Sequence, residues 1–423
     1  MAGIATHIET SVTRIGVQSA LGTASSNMRR VTLMGDGHPI ATAARQVFAN
    51  TAQNQRRRVG RRPINGPRVG ASVALPVHLR GVAAVLDADA TPVAFNHASA
   101  LPHQILWRAM MGGELTPAAG STVASSSGTP VTSITVDTNH GSRFAVGQII
   151  VPVIGGVPYP RRVTAISTDT LTITPPLPSA PSNGDVVRNT YCYYPAERDS
   201  TVFTVEHAQV EASGSTTQRR AVGVYGGGEI NLPTNEPASF TFNGTAVDHT
   251  DPDDLSISTD PAAELDGTEL VWTPTIYLMD TMAAAPSVAD VANLKVNVPR
   301  AWQTVPGSLI NGIGSVHEVA GRDAPITLDF EGLFDRAWWA SFEAGTDYTL
   351  LAYTTYGSGT SARVVGFYAG VTRLHGTPQV TDMGKLRAAK FTAVAELDTT
   401  IAGATPALNT AEIRTANLIF FRG

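Results

Sequence analysis

The sequence predicts a mainly β protein made of two similar β-sandwich or β-barrel units, each with one short helix, plus an inserted small β-domain. Valine, threonine and serine fill segments that are separated by turns, and the 423 residues include 39 glycines and 27 prolines. Residues 116–192 have a compact strand pattern of their own, and a short segment recurs late in the chain. These three observations carry the fold prediction.

The composition excludes several classes of protein. Hydrophobic residues make up 43% of the chain and charged residues 15%, so most of it can bury a core instead of staying disordered. No apolar run is long enough to span a membrane, and we expect no signal peptide at the N-terminus. The single cysteine, Cys192, excludes a disulfide framework and a metal site built from cysteines.

The charge is distributed unevenly along the chain. Residues 1–115 hold 12 arginines against 5 acidic residues, whereas residues 196–300 hold 16 acidic residues against 5 basic ones. A chain with a basic first part and an acidic middle can attract copies of itself head to tail. The chain has 27 arginines and only three lysines, which we attribute to a GC-rich genome.

The first unit is predicted from strands and one helix. The helix is expected at 97–111, because Ile105, Leu106, Ala109 and Met110 fall on one face and Pro102 lies near the first turn. Residues 113–130 are low in complexity and are interpreted as a linker. The predicted strands of the first unit cover 10–19, 40–49, 69–79, 200–211, 219–232 and 237–247.

The inserted domain and the second unit are also predicted from strand and helix patterns. Five short strands are predicted within 131–192. The second unit has a predicted helix at 333–343 and strands at 269–278, 293–298, 324–330, 347–356, 363–374 and 385–397. The expected domains are therefore 1–112 with 196–255, the insertion 116–192, the second unit 256–400 and a C-terminal arm 401–423. Residues 50–68 and the C-terminal tail are expected to order only on assembly.

An internal repeat supports a duplication. The segment RAVGVYGG at 220–227 aligns with RVVGFYAG at 363–370, and five of the eight positions are identical. Both copies follow a turn rich in serine, glycine and threonine. Chance similarity between β-rich segments is the alternative, and a repeat of this length indicates duplication and not a solenoid.

The sequence shows no catalytic pattern. The ten histidines form no His-x3-His or Glu-x-x-His pair, and no nucleophile elbow or phosphate-binding loop is present. We therefore expect no enzyme activity, no cofactor and no metal. Gly226, Gly227 and Gly228 lie inside a strand pattern, which favours a bulge or close packing between subunits over a phosphate site.

Two charged loops are the candidate contact sites. The basic loop, residues 55–68, could bind nucleic acid, could order against an acidic neighbour during assembly, or could be a solvated loop. The acidic loop, residues 248–254, could be a solvated turn, a cation site or the partner of the basic loop. The candidate inter-ring contacts are Arg56, Arg57, Arg58, Arg61, Arg62, Arg68, Asp248, Asp251, Asp253 and Asp254.

The order of these elements resembles the tail tube proteins (major tail proteins) of long-tailed bacteriophages. The opening ETSVTRIGVQSALGTAS, the arginine-rich loop followed by a strand and a short helix, and FTFNGT at 240–245 carry the resemblance. It covers residues 1–112 and 196–400 in two copies. The insertion is similar to small β-domains on the outside of such tubes.

The resemblance implies a structural virion protein, assembled in the bacterial host cytoplasm, whose rings stack into a tube. DNA and the tape measure protein would pass through the lumen without specific binding. Further partners would be the tail tip or baseplate and the tail terminator proteins. A duplicated chain implies a ring of three subunits, with a hexamer as the alternative. A receptor- or glycan-binding tail protein and a head–tail adaptor are the other functional interpretations.

Overall fold

The structure, a computed structural model, is mainly β and contains a large antiparallel sheet and a closed six-strand barrel. None of the helices in the described part of the chain has the length and apolar character needed to cross a membrane. The residues described are 11–19, 23–34, 38–41, 47–48, 64–65, 71–82, 86–87, 91, 102–196, 201–210, 216–250, 270–279, 291–300, 302–310, 313–318, 325–333, 340, 343–357, 362–383, 386–398, 401 and 412–423.

The chain begins with short strands and the helix α1. Pro102 opens α1, where a missing N–H costs nothing, and Gly112 ends it at a φ of +94° that glycine adopts easily. The sequence prediction started α1 five residues earlier, at positions outside the described residues. The elements are β1 (Ser11–Val17), β2 (Arg29–Val31), β3 (Ile40–Ala41), β4 (Val47–Phe48), β5 (Ile64–Asn65), β6 (Ser72–His78), α1 (Pro102–Met111) and β7 (Gly112–Leu115).

The barrel follows directly. Its strands are β8 (Ser121–Ser127), β9 (Val131–Val136), β10 (Ile149–Ile154), β11 (Val157–Pro158), β12 (Arg161–Ser167), β13 (Thr170–Leu177) and β14 (Val186–Asn189). Six of them pair in the order β10-β12-β13-β9-β8-β14, and β14 pairs back to β10, which closes the sheet. A separate apolar cluster that includes Ile134, Ile150, Leu171 and Val187 fills the interior. The barrel thus has its own hydrophobic core.

The remaining strands belong mostly to the large sheet; β22 and β23 pair only with each other. They are β15 (Tyr191–Pro195), β16 (Phe203–Val210), β17 (Thr216–Leu232), β18 (Ser239–Thr245), β19 (Asp248–Thr250), β20 (Thr275–Met279), β21 (Val291–Val298), β22 (Trp302–Ile310), β23 (Ile313–Glu318), β24 (Ile326–Leu333), β25 (Asp347–Tyr356), β26 (Arg363–Met383), β27 (Leu386–Glu396) and β28 (Ile419–Arg422). A short helix, Glu412–Thr415, precedes β28.

Two groups of five antiparallel strands in the large sheet have the same order. In the first group β1 pairs with β16, β16 with β17, β17 with β18, and β18 with β6. In the second group β20 pairs with β25, β25 with β26, β26 with β27, and β27 with β24. The chain also visits the members of each group in the same sequence. Strands β17 and β26, which contain the repeated octapeptide, occupy the same central place in their groups.

The strand β21 joins the two groups, and it pairs with the central strand of the first group. β21 pairs with β24 on one side and with the second half of β17 on the other, through Gly228–Leu232 and Leu294–Val298. A continuous sheet therefore runs β3-β6-β18-β17-β21-β24-β27-β26. The alternation along β21, with Leu294, Val296 and Val298 buried and Asn293, Lys295 and Asn297 outward, shows that this sheet has one core face and one solvent face.

The core face is covered by α1 and by β28. The Trp107 ring of α1 stacks on Phe240 of β18, with ring centroids 4.8 Å apart, and on Phe420 of β28, at 3.6 Å. β28 lies between β15 and β26 and is hydrogen-bonded to both. Because β15 follows the barrel and β26 belongs to the second group, β28 connects distant parts of the chain.

Three sequence expectations are corrected here. Part of the proposed linker 113–130 is structured, since β7 and β8 include residues 113–115 and 121–127. Residues 412–423 of the proposed arm are not a free tail, because β28 is buried within the sheet. The second helix was predicted from residue 333, but Leu333 ends β24; residues 340, 343 and 344 are helical. In each case long-range strand pairing, and not local composition, decides the secondary structure of the segment.

Candidate assembly surface

The predicted contact residues fall mostly outside the described part of the chain. This applies to Arg56, Arg57, Arg58, Arg61, Arg62, Arg68, Asp251, Asp253 and Asp254. Asp248 is described: it lies in β19, opposite Val222 of β17, and its Oδ1 accepts the backbone N–H of His249 at 2.7 Å. The suggested pairing of the basic and acidic loops stays a prediction.

The repeated octapeptide has similar surroundings in its two copies. The guanidinium of Arg300 lies over the ring of Tyr225, 4.9 Å from its centroid, and that of Arg162 lies over Tyr368, at 4.8 Å. Both tyrosines are buried, and burial raises the pKa of Tyr368 to about 12. Each copy therefore presents a tyrosine face to a cation, which is a favourable electrostatic contact.

The last glycine of each octapeptide allows a close approach. A Cβ at Gly227 would collide with the carbonyl of Val298, and one at Gly370 would collide with the Asp398 carboxylate. The sequence pattern around Gly226–Gly228 favours either a bulge or close packing between subunits. In the structure these glycines pack against neighbouring strands of the same chain.

The second half of β26 forms one end of the continuous sheet. Residues 371–383 pair with β27 on one side, and from residue 374 onward no described strand pairs with the other side. Val380 on this edge is 56% exposed. In β17 the residues that follow the octapeptide, 228–232, pair with β18 on one side and with β21 on the other. They correspond to residues 371–375 of β26, where β25 pairs as far as Arg373, and Val380 lies beyond this correspondence on the same open edge.

We call one solvent-exposed surface of the sheet the polar face. It comprises the outward side chains of β21, β24, β27 and the second half of β17. Cross-strand neighbours on it are Asn231 and Lys295, Lys295 and Asp329, and Asp329 and Thr392. Its members are Glu229, Asn231, Asn293, Lys295, Asn297, Thr327, Asp329, Glu331, Lys390, Thr392, Val394 and Glu396. None of these side chains is an arginine, tryptophan, tyrosine or phenylalanine.

Charges on the polar face are paired across strands. Lys295 Nζ lies 2.8 Å from Glu229 Oε1, and Lys390 Nζ lies 2.9 Å from Glu331 Oε1. The Lys390 hydrogen bond lowers the pKa of Glu331, which keeps this carboxylate ionised at neutral pH. Thr392 Oγ1 donates to Asp329 Oδ1 at 2.6 Å. These contacts leave the face polar and hydrated, with its cations next to anions.

A groove of about 870 Å³ crosses the polar face. It is lined by Lys295, Asp329 and Lys390 and extends from Asn231 of β17 to a wall at Gly376 and Thr377 of β26. The wall is a bulge, since the β26–β27 register shifts between His375 and Gln379. The groove thus combines the polar face with the open edge of the sheet.

The barrel is fastened to the large sheet by apolar packing and by a buried ion pair. Ile149, Val151 and Val153 on the outside of β10 pack in one cluster with Leu351 of β25 and Phe421 of β28. The Arg162 guanidinium on β12 is bonded to the Asp398 carboxylate, and both side chains are 0% exposed. Arg162 Nη2 also donates to the carbonyls of Ile413 and Arg414, at 3.0 and 2.9 Å. The barrel is therefore packed against the second group of strands and bonded to the segment that precedes β28.

Two histidine rings are in contact next to strand β1, with His207 buried and His38 half-buried. The rings of His38 and His207 meet edge to face with centroids 4.4 Å apart, and His207 Nδ1 lies 2.9 Å from Thr13 Oγ1. Burial, followed by repulsion from His38 and Arg219, lowers the pKa of His207 to about 4. The ring is therefore neutral in the folded protein at pH 7.

We expect this histidine to make stability fall in acid. The unfolded chain binds a proton near pH 6.5, whereas the folded chain binds it only near pH 4, so stability is complete above about 6.5 and is lost as the pH falls towards 4. The loss should approach ~3 kcal/mol. Urea midpoints measured between pH 7 and 4 should fall less steeply for His207→Gln than for the wild type. Equal slopes would contradict the assignment.

The described residues contain no group of three or more histidine, cysteine, aspartate or glutamate side chains placed to hold a metal ion. No family model matches the chain, and no curated protein is similar to it.

Proposed function

We propose that this protein is a structural virion protein whose subunits join through their sheet edges into rings, and whose rings stack into a phage tail tube. The observation that carries the proposal is the junction between the two strand groups. β17 of the first group pairs with β21, and β21 pairs on its other side with β24 of the second group, where it occupies the place that β3 occupies beside β6. The same kind of pairing at the two ends of the continuous sheet would join β26 of one copy to β3 of the next.

The same junction between copies would give a repeating assembly. Each chain supplies two four-strand blocks, β3-β6-β18-β17 and β21-β24-β27-β26. Every junction would repeat the β17–β21 geometry, so the angle between blocks would be constant, and the sheet would close into a ring when that angle divides a full turn. Three chains would give six such blocks, and a hexamer of chains would give twelve. Closure would also remove the free strand edges that favour aggregation.

The internal repeat supports a duplicated tube unit. The shared strand order, the tyrosines under Arg300 and Arg162, and the two close-approach glycines are the features in common. The proposed partners remain copies of this chain, the tape measure protein, and the proteins that start and end a tail. The virion is the proposed location, and DNA is the proposed cargo of the lumen.

The role of the β26 edge in joining subunits can be tested with Val380→Lys. A lysine on an exposed edge strand stays hydrated and opposes pairing with a second strand. Val380 is 56% exposed, so we expect the subunit to fold with unchanged thermal stability and to lose ring and tube formation. Negative-stain microscopy combined with mass measurement would detect the change and would count the subunits in wild-type rings.

Val157→Lys is the matched control, because Val157 is 49% exposed on the barrel and far from the proposed junction. It should assemble like the wild type. Tubes formed by Val380→Lys would rule out the β26 edge as the junction. A wild type that stays monomeric at high concentration, even with a tail tip complex added, would argue against the tube and favour a receptor-binding role.

A further inference from the structure

The polar face differs from the rest of the chain in its cations. Only three of the 30 basic residues in the sequence are lysines. Lys295 and Lys390, the two whose side chains the structure describes, are both on the polar face. Arg373 of β26 borders the polar face opposite Val394, and it too lies beside carboxylates, Asp347 at 2.7 Å and Glu396 at 3.8 Å.

Whether a cation is lysine or arginine matters for its contacts with phosphate. Arginine presents a rigid fork of donors that binds a phosphate through two hydrogen bonds, and its plane stacks on bases. Lysine is a compact, strongly hydrated charge that makes no such fork. A lysine already bound to a glutamate has its charge compensated and releases few counterions when a polyanion approaches. The polar face also lacks the aromatic rings on which bases stack.

We propose that the polar face is a surface over which double-stranded nucleic acid moves without binding, and that Glu229 and Glu331 are the residues that prevent binding by holding Lys295 and Lys390. This inference rests on the proposed function, which would place the solvent side of the closed sheet towards the lumen. The two Nζ–Oε1 distances of 2.8 and 2.9 Å and the position of Asp329 opposite Lys295 carry it.

The test removes the anions and keeps the lysines. In the E229Q/E331Q variant both ammonium groups lose their partner carboxylate. Binding of a fluorescent 20-base-pair duplex to the full chain would be measured by anisotropy over a range of salt concentrations. We expect at least tenfold tighter binding than for the wild type at low salt. The slope of log affinity against log salt should steepen by about 1 to 2, one unit for Lys390 and up to one more for Lys295, which keeps Asp329 opposite it.

Two controls separate the effect of lysine–glutamate pairing on DNA binding from the effect of net charge. The quadruple variant E229Q/E331Q/K295Q/K390Q has the wild-type net charge and the same glutamines, and it should bind as weakly as the wild type. Asp137→Asn with Asp185→Asn removes two negative charges from the barrel, outside the polar face, and should also leave binding weak. Thermal melts would establish that each variant is folded.

Several results would overturn the inference. Unchanged binding by E229Q/E331Q would do so, and so would equal tightening in the barrel variant, since net charge alone would then be responsible. Tight binding by the wild type would also exclude a non-adhesive face. The outcome is independent of ring formation: a chain that never assembles but gains affinity in E229Q/E331Q alone would retain this chemistry and refute only the tube.

Discussion

Asp398→Ala should destabilise the protein by about 3–5 kcal/mol, because it leaves the Arg162 guanidinium buried without its counter-charge. The carbonyls of Ile413 and Arg414 and the ring of Tyr368 would remain, but none of them carries a negative charge at pH 7. The loss should be largest at the joint between the barrel and the C-terminal segment. Urea unfolding and hydrogen exchange of residues 412–423 would measure it.

The exposed ion pair of Arg373 provides the control. Arg373 Nη2 lies 2.7 Å from Asp347 Oδ1, and both side chains are nearly half exposed. Water screens such a pair, so Arg373→Ala should cost less than ~1 kcal/mol. Equal effects of the two variants would mean that burial does not set the energy of the Arg162 pair. A replacement of both Arg162 and Asp398 by apolar residues should be milder than Asp398→Ala, because no isolated charge remains.

Phe420→Ala should cost about 3–5 kcal/mol and should weaken the attachment of β28. The Phe420 ring is fully buried, lies 3.6 Å from the Trp107 ring centroid and 5.1 Å from that of Phe367, and sits on a strand held between β15 and β26. Its removal would open a cavity where helix α1, the first strand group and the second strand group meet.

The expected signature of Phe420→Ala is a lower unfolding midpoint together with faster hydrogen exchange in β28 and β15. Leu397→Ala is the control, since Leu397 is 58% exposed and its truncation should change stability by less than ~0.5 kcal/mol. A Phe420→Ala protein as stable as the wild type would mean that β28 is not a structural joint. In that case the expectation of a detachable C-terminal tail would regain support.

Strands with clear local signals could be predicted from the sequence. The segment 347–356 and the start of β26 at residue 363 were predicted where the structure has them, because apolar residues lie between strong turn signals. The helix α1 was found from the spacing of its apolar residues. β8 was missed because its serines and alanine have low strand propensity; it becomes a strand by pairing with β9 and β14.

The candidate surface could be predicted only in part. The octapeptide repeat was visible in the sequence, but the open edge of β26 follows from comparing the neighbours of two strands in space. The lysine–glutamate pairs were also hidden, since Glu229 and Lys295 are 66 positions apart in the numbering and become neighbours only across β17 and β21. No spacing rule within one strand relates such residues.

The sequence by itself determined that this chain is β-rich and that a similar octapeptide occurs in it twice, because strand alternation, turn residues and short repeats are local properties. Only the tertiary structure decided which strands are neighbours, that β28 joins β15 to β26, and that Arg162 of the barrel meets Asp398 beyond β27. Backbone hydrogen bonds between strands are almost independent of side-chain identity, so partner choice depends on how the whole core packs.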